Sequence, residues 1–231
     1  RVARPRGALS AAEGRVARSR GARAEGVFVL DLPPRLWVIT VSDFIFNAGL
    51  MTSHSFYLLL FWKEKFGYAV AALGVIQMLH RFSLGIPMIL AGHAMDRPAV
   101  RRHYHALYIG SMAAQGICIA LAGIIPAALP AVAIFLVHDI VGATIFGPIR
   151  AAFVQREARP ERRGRDVALS SGLSSLGTMI GPLLAGWLVD RMAWRDGPYV
   201  ASGALIVAAS LLMFRLKDRP GLAKRRAEAV G

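Results

Sequence analysis

The stretch AGHAMDRPAVR at Ala91–Arg101 occurs a second time, in altered form, as AGWLVDRMAWR at Ala185–Arg195. Six positions are identical at an offset of 94 residues, including the pattern Gly-x-x-x-Asp-Arg. Each copy comes at the end of a long apolar stretch, and the two copies lie three such stretches apart. If the stretches cross a membrane, this odd number of crossings places the copies on opposite sides. The repeat therefore predicts two inverted units of three spans each, which is an architecture of secondary transporters.

The composition agrees with a protein that spans a membrane several times. Apolar residues make up 55% of the 231 residues and charged residues 18%, below the share of about 25% in soluble domains. Cys118 is the only cysteine, which excludes a disulfide-stapled secreted domain, and the apolar content excludes a wholly disordered chain. A net charge of +14 would suit nucleic-acid binding, but a mean hydropathy of +0.47 would not, so no nucleic-acid partner is expected.

Six apolar stretches are long enough to cross roughly 30 Å of hydrocarbon, which takes about 20 residues. The expected fold is an all-α membrane protein in which residues 35–217 form one six-helix bundle. We expect residues 1–34 to be a disordered, basic cytoplasmic tail and residues 218–231 to be a second cytoplasmic tail. The predicted spans one to six are Leu36–Trp62, Tyr68–Ala94, Tyr104–Ile125, Leu129–Val154, Val167–Val189 and Tyr199–Leu216.

The basic residues predict the orientation of the bundle. Of the 28 Lys and Arg residues, 23 fall in or beside the two tails and the loops after spans two and four, 4 fall on the other side, and Arg81 lies inside span two. Positively charged loops stay in the cytoplasm. We therefore expect a multi-pass protein of the inner cell membrane with both termini in the cytoplasm.

The first copy of the repeat resembles a known family signature. Gly92-His-Ala-Met-Asp96-Arg97, followed by Arg101 and Arg102, is similar to Gly-x-x-x-Asp-Arg-x-Gly-Arg-Arg, found between the second and third helices of the major facilitator superfamily. The expected third-from-last Gly is missing, and the closing Arg pair comes one position late. The resemblance implies one six-helix half of such a transporter, with Gly92, Asp96, Arg97, Arg101 and Arg102 in a cytoplasmic latch. A loop that only anchors the topology is the alternative.

A second motif lies in span five. Gly177-Thr-Met-Ile-Gly181-Pro182-Leu-Leu-Ala185-Gly186 is similar to Gly-x-x-x-Gly-Pro-x-x-Gly-Gly, which is associated with exporters of that family, with Ala185 in place of one Gly. Small residues at this spacing let a neighbouring helix approach closely, and Pro182 permits a bend. Ordinary helix packing accounts for the glycines equally well, so the motif only favours export over import.

Other features bear on which half the chain represents. Family N-terminal halves carry an Arg four residues before a Gly in the fourth helix, whereas here His138 precedes Gly142. The chain also starts with Arg and ends fifteen residues after span six. These features favour a C-terminal half. Because alternating access in the resembled family needs two bundles, we expect a second six-helix half, either upstream in the same protein or in a homodimer.

Ionisable residues inside the spans are the candidates for a pathway, because each is costly in hydrocarbon unless it is paired or hydrated. In the resembled family, the first and fourth helices line the central cavity. We expect a carboxylate within the membrane to neutralise Arg81. Asp139 lies at a similar depth and is the favoured partner, with Asp43 as the alternative. The carboxylate that is left unpaired, Asp43 in the favoured pairing, is the expected proton site. Buried polar groups that only hold helices together are the alternative. The candidate pathway residues are Asp43, Asn47, His54, Arg81, His138 and Asp139.

Soluble-enzyme motifs are lacking in the sequence. No Gly-rich phosphate loop, His-Glu-x-x-His motif or cysteine pair occurs, so we expect no catalytic residues, no cofactor and no metal. The leading hypothesis is a secondary transporter, or half of one, that moves a small organic solute by alternating access, with proton-coupled efflux as the favoured form. A truncated, non-transporting membrane scaffold that binds a partner is the competing hypothesis.

The predicted orientation can be tested by cysteine labelling. In a variant that lacks Cys118, cysteines introduced near Arg101 and Arg162 should react with a membrane-impermeant reagent only from the cytoplasmic side. A cysteine at Glu64 should react only from the opposite side. Labelling of the Glu64 position from the cytoplasm would overturn the orientation.

Overall fold

The structure, a computed structural model, describes residues 30–55 and 57–216. This part of the chain is helical and contains no strand. Six helical segments are long and apolar enough to cross a membrane, which confirms the predicted all-α fold with six spans. They are Pro34–His54, Val70–Met95, Tyr104–Ile124, Ala128–Glu157, Pro160–Met192 and Gly197–Leu216.

Several of these spans are built from more than one helix. In chain order the α-helices are α1 (Pro34–His54), α2 (Tyr57–Phe66), α3 (Val70–Met95), α4 (Pro98–Arg101), α5 (Tyr104–Ile124), α6 (Ala128–His138), α7 (Thr144–Glu157), α8 (Arg163–Ser175), α9 (Gly177–Met192) and α10 (Gly197–Leu212). A π-helical segment, Asp139–Ala143, joins α6 to α7, and 3₁₀ turns occur at Pro160–Arg162 and Met213–Leu216.

Hydropathy alone predicted continuous spans, whereas the structure interrupts three of them. The first predicted span, Leu36–Trp62, is divided between α1 and α2. The fourth contains the π-helical segment, where the Thr144 hydroxyl donates to the carbonyl of Ile140 at 2.6 Å. The fifth is divided between α8 and α9, where Thr178 donates to the carbonyl of Ser175 at 2.6 Å. Hydroxyls that bond back to the preceding turn bend helices in this way.

Glycines allow the helices to approach one another closely. A Cβ atom on Gly177 or Gly181 would collide with the backbone of α1, near Phe44 and Ala48. Gly116 of α5 and Gly203 of α10 lie so close that a Cβ on either would strike the other's carbonyl oxygen. Small residues therefore set the contacts of α1 with α9 and of α5 with α10. In contrast, a Cβ on Gly186 would meet no atom of the described residues within 4 Å.

The six spans are not equally buried. In the described bundle, the most apolar window of the first span is 56% buried, whereas those of the second and fifth are 17% and 28% buried. The spans with the largest exposed faces are thus the second and fifth. Their large exposed apolar side chains include Met78, Phe82, Ile86, Met179, Leu183 and Trp187.

Most of the two predicted tails lies outside the described residues. The structure begins at Leu30, so it describes only the last few residues of the predicted tail 1–34. The predicted tail 218–231 falls wholly beyond the described range.

The close contact at Gly177 predicts a sensitive position. Gly177→Ala should destabilise the bundle by roughly 1–3 kcal/mol, because the backbone of α1 must move to admit the new methyl group. The measurement is the free energy of unfolding in mixed detergent micelles.

Gly186→Ala is the matched control, since it lies on the same helix where the new methyl group meets open space. We expect its unfolding free energy to stay close to that of the parent. Equal losses in both variants would contradict the close packing of α9 on α1.

Candidate functional site

A buried ion pair joins the first and fourth spans. Arg150 Nε of α7 donates to Asp43 Oδ2 of α1 at 2.6 Å, and the Asp43 side chain is 1% exposed. Tyr108 of α5 donates its hydroxyl to the other carboxylate oxygen at 3.1 Å. Both oxygens of Asp43 are therefore satisfied by charged or polar donors from two other spans.

The prediction that Asp43 is left unpaired is wrong. Arg150 lies within the predicted span Leu129–Val154, although its charge counts among those of the basic loop after span four. The Arg150 side chain is 30% exposed, so the guanidinium reaches from the edge of the bundle to the buried carboxylate. A single Arg inside an apolar stretch was the available signal, because an intramembrane charge calls for a partner.

Three histidines from three spans meet near the start of the π-helical segment, whereas Arg150 lies beyond its end. We call His54, His80 and His138 the histidine cluster. His54 Nε2 lies 3.1 Å from His138 Nε2, and the three ring centroids are 5.0 to 5.5 Å apart. Phe135 packs against all three rings. The cluster is thus a compact polar group within an aromatic wall.

Asp139 belongs to this group and is not paired with Arg81. Its carboxylate lies 2.9 Å from His80 Nε2 and 3.3 Å from His138 Nε2, and it accepts a bond from Ser83 at 3.2 Å. The predicted pair of Arg81 with Asp139 is therefore wrong. Adjacent helical residues point about 100° apart, so His80 faces the interior of the bundle while the Arg81 side chain is exposed.

A small cavity of about 190 Å³ adjoins the histidine cluster. Residues from the first four spans line it, and the polar ones are His54, Gln77, His80, Arg81, Gln115 and Asp139. Gln115 is 1% exposed, and its Oε1 atom has no hydrogen-bond partner among the described residues. Of the six candidate pathway residues, His54, Arg81 and Asp139 thus line this cavity. His138 contacts His54 and Asp139 from behind the cavity wall. Asp43 lies apart, in its ion pair with Arg150.

Asn47 has a different environment. Its Nδ2 donates to the carbonyl of Ser174 in α8 at 3.0 Å, and Thr40 on the same side of α1 lies 2.7 Å from the Ser170 hydroxyl. These bonds join the first span to the fifth. Asn47 is therefore placed as a tether between helices, which is the alternative that the sequence left open.

The loop after the second span holds the predicted latch residues. Arg101 donates to Asp96 at 3.1 Å, with the two side chains 59% and 80% exposed. Gly92 has open space around it, and both Arg97 and Arg102 are exposed. The exposed pair contributes little to stability by itself, since such pairs are worth about 0–1 kcal/mol.

A second set of polar contacts, around the loop after the fourth span, was not predicted. Arg159 donates to Asp166 through its backbone N–H and its guanidinium, at 2.8 to 3.1 Å, and the Asp166 side chain is fully buried. Arg35 of α1 pairs with Glu157 at the end of α7 at 3.0 Å. These bonds fix the ends of the first, fourth and fifth spans near the loops that carry most of the basic residues.

Comparison with known proteins places this arrangement in a family. The sequence model of the Major Facilitator Superfamily matches residues 44–231. The Multidrug resistance protein B homolog of Mycobacterium tuberculosis (strain CDC 1551 / Oshkosh) is 30% identical over 163 residues, which cover 67% of this chain and 28% of the relative. Multidrug resistance protein MdtH of Aeromonas salmonicida (strain A449) is 26% identical over 192 residues, 80% of this chain and 46% of the relative. No solved structure matches the chain significantly.

The chain spans less than half the length of these curated relatives. Nevertheless, the family match extends from the middle of the first span through the sixth and beyond, and the six apolar helices agree with it. The chain belongs to the major facilitator superfamily.

Proposed function

We propose that the chain forms one six-helix half of a secondary transporter that exports small organic solutes in exchange for protons. The observation that carries this proposal is the set of buried ionisable groups on the first, second and fourth spans. Such groups are costly in hydrocarbon and mark ion or substrate pathways. Export is supported by the relatives, which are named multidrug resistance proteins.

Alternating access requires a second six-helix bundle to rock against the first. The second and fifth spans carry the largest exposed apolar faces, and they are the surfaces on which the second bundle would pack. The second bundle is another part of the same protein or a second copy of this chain. The remaining apolar surface faces lipid in the inner membrane.

The Asp43–Arg150 pair supplies a mechanism for proton coupling. A proton that binds Asp43 removes the charge that holds Arg150 and so weakens the link between the first and fourth spans. Arg150 is partly exposed and can turn toward water when it is released, since a long side chain keeps its charged head hydrated. Movement of a proton thereby changes the contact between two helices.

The loop after the second span would act in the same cycle. The Asp96–Arg101 pair is exposed and therefore free to exchange partners at low cost. We assign it the latch function that the signature of the family implies, with Arg97 and Arg102 as the alternative partners of Asp96. Gly92 and Arg101 complete the loop.

A double-mutant cycle tests the ion pair independently of transport. Arg150→Ala should cost roughly 3–5 kcal/mol in unfolding free energy, because it strands the buried carboxylate of Asp43, and the double variant should recover much of this loss. Asp43→Ala should cost less, because Arg150 is partly exposed and can keep its charged head hydrated. The corresponding cycle on Asp96 and Arg101, which are exposed, should show a coupling below about 1 kcal/mol. Strictly additive losses at Asp43 and Arg150 would contradict the pairing.

Transport is tested in sealed vesicles that contain the chain together with its second bundle. Under an imposed proton gradient, the parent should expel ethidium, and Asp43→Asn should reduce this flux to the level of protein-free vesicles. Asp190→Asn is the matched control, because Asp190 is an exposed carboxylate at the end of α9. An unchanged pH dependence of flux in Asp43→Asn would refute the coupling role. If the parent moves none of a panel of organic dyes faster than protein-free vesicles do, with or without the proton gradient, the non-transporting scaffold is favoured.

A further inference from the structure

The histidine cluster has features that transport of an organic solute does not explain. One ring nitrogen from each of His54, His80 and His138 lies within 4.8 Å of the other two. His138 is fully buried, and His80 is 5% exposed. The three residues come from α1, α3 and α6, so the fold brings them together from distant parts of the chain.

Hydrogen bonds fix the tautomer of one ring and restrict that of a second. His138 Nδ1 donates to the carbonyl of Phe135, and His54 Nδ1 lies 3.2 Å from the carbonyl of Leu50 and 2.8 Å from the Ser53 hydroxyl. A carbonyl oxygen only accepts, so Nδ1 of His138 carries the proton in the neutral ring. Nδ1 of His54 either donates to the Leu50 carbonyl or accepts from the Ser53 hydroxyl. In the first case the two Nε2 atoms direct lone pairs toward each other across 3.1 Å, an arrangement that a cation between them would stabilise.

The third ring and the carboxylate complete the arrangement. Neither nitrogen of His80 has a hydrogen-bond partner among the described residues, although Nε2 lies 2.9 Å from Asp139 Oδ2. The carboxylate is thus close to the ring without the geometry of a hydrogen bond. A buried imidazole nitrogen without a partner costs free energy. A ligand that bonds to this nitrogen would remove that cost.

The distances match those between ligands of one metal ion. Zinc binds histidine nitrogen at about 2.0–2.1 Å, so two ligands at the corners of a tetrahedron lie about 3.3 Å apart. The observed separations are 3.1 Å from His54 to His138, 2.9 Å from His80 to Asp139, and 3.3 Å from His138 to Asp139. These are three of the six separations among the four groups, and the three histidine nitrogens lie within 4.8 Å of one another, so the side chains must shift to bind one ion together.

The electrostatic surroundings also suit a cation. Asp139 supplies one negative charge, and α1 ends at His54, so the partial negative charge of its C-terminus lies beside the cluster. Arg81 lines the same cavity, and its positive charge opposes a bound cation unless the exposed side chain turns away from the cluster. Imidazole ligands with one carboxylate favour zinc and its first-row neighbours over magnesium and calcium.

We infer that His54, His80, His138 and Asp139 form an intramembrane binding site for a divalent transition-metal ion of the zinc class. The site revises the expectation that the chain binds no metal, and it is distinct from the proposed proton site at Asp43. A bound ion would join the first, second and fourth spans at the level of the π-helical segment. The inference does not depend on transport, since the ion is bound by this chain's own side chains.

The test uses the full chain, purified in detergent without a histidine tag, and zinc alone as the probe. The protein has six histidines, and the other three, His93, His103 and His105, lie in or near the loop after the second span. A variant with His93→Asn, His103→Asn and His105→Asn therefore retains only the cluster. We expect it to bind one zinc ion per chain, with an X-ray absorption spectrum that shows three imidazole ligands.

Variants of the cluster supply the complementary measurement. In the same background, His54→Gln and His80→Gln should each weaken zinc affinity by more than about 100-fold, and Asp139→Asn by at least about 10-fold. Zinc should raise the melting temperature of the background variant but not of the cluster variants. If the loop variant binds no zinc, or binds it without imidazole ligands, the inference is wrong. Because this readout comes from the unsubstituted cluster, it stands even if a cluster variant fails to fold.

Discussion

Hydrocarbon offers no hydrogen bonds, so every polar group inside the membrane must be satisfied by the protein itself. This constraint explains why the described chain is helical and why its buried side chains are bonded in the way observed. Both oxygens of Asp43 accept bonds, from Arg150 and Tyr108. Hydroxyls such as Ser42 donate to backbone carbonyls of neighbouring spans. The bundle therefore combines apolar contacts with buried polar groups that bond across spans, and within the described chain the unbonded atoms of His80 and Gln115 stand out against them.

Close packing of the helices is the second requirement. Lipid tails are as apolar as the side chains, so there is no hydrophobic driving force between helices, and packing contacts must hold them together. The glycines of α5, α9 and α10 answer this requirement by letting backbones approach until a methyl group would no longer fit. The same contacts bring Asp43 within reach of Tyr108, and Gly142 within reach of Gln115. The polar sites consequently depend on the small residues that surround them, although those residues carry no chemistry of their own.

Length and hydropathy were sufficient to predict six spans, since a span needs only a long apolar run. The partners of the ionisable residues were not predictable in this way. Depth in the membrane suggested Arg81 for Asp139, but the rotation of α3 turns His80 inward instead, and rotation is set by packing between spans. Arg150 was treated as a loop residue because its position near the end of an apolar run hid its reach. An interruption within a span does not change its hydropathy, so hydropathy could not predict where the spans are divided.

The π-helical segment Asp139–Ala143 separates two regions of the fourth span that touch different partners. His138 just before it and Asp139 at its start contact the first and second spans, and Arg150 after it holds Asp43. One extra residue per turn loosens the regular bonding ladder, so the helix can twist there at lower cost than elsewhere. We therefore expect the fourth span to turn most easily at this segment. A rearrangement around Asp43 would then leave the histidines undisturbed, and an ion held by the histidines would stiffen the part of the span before the segment while leaving the part after it free.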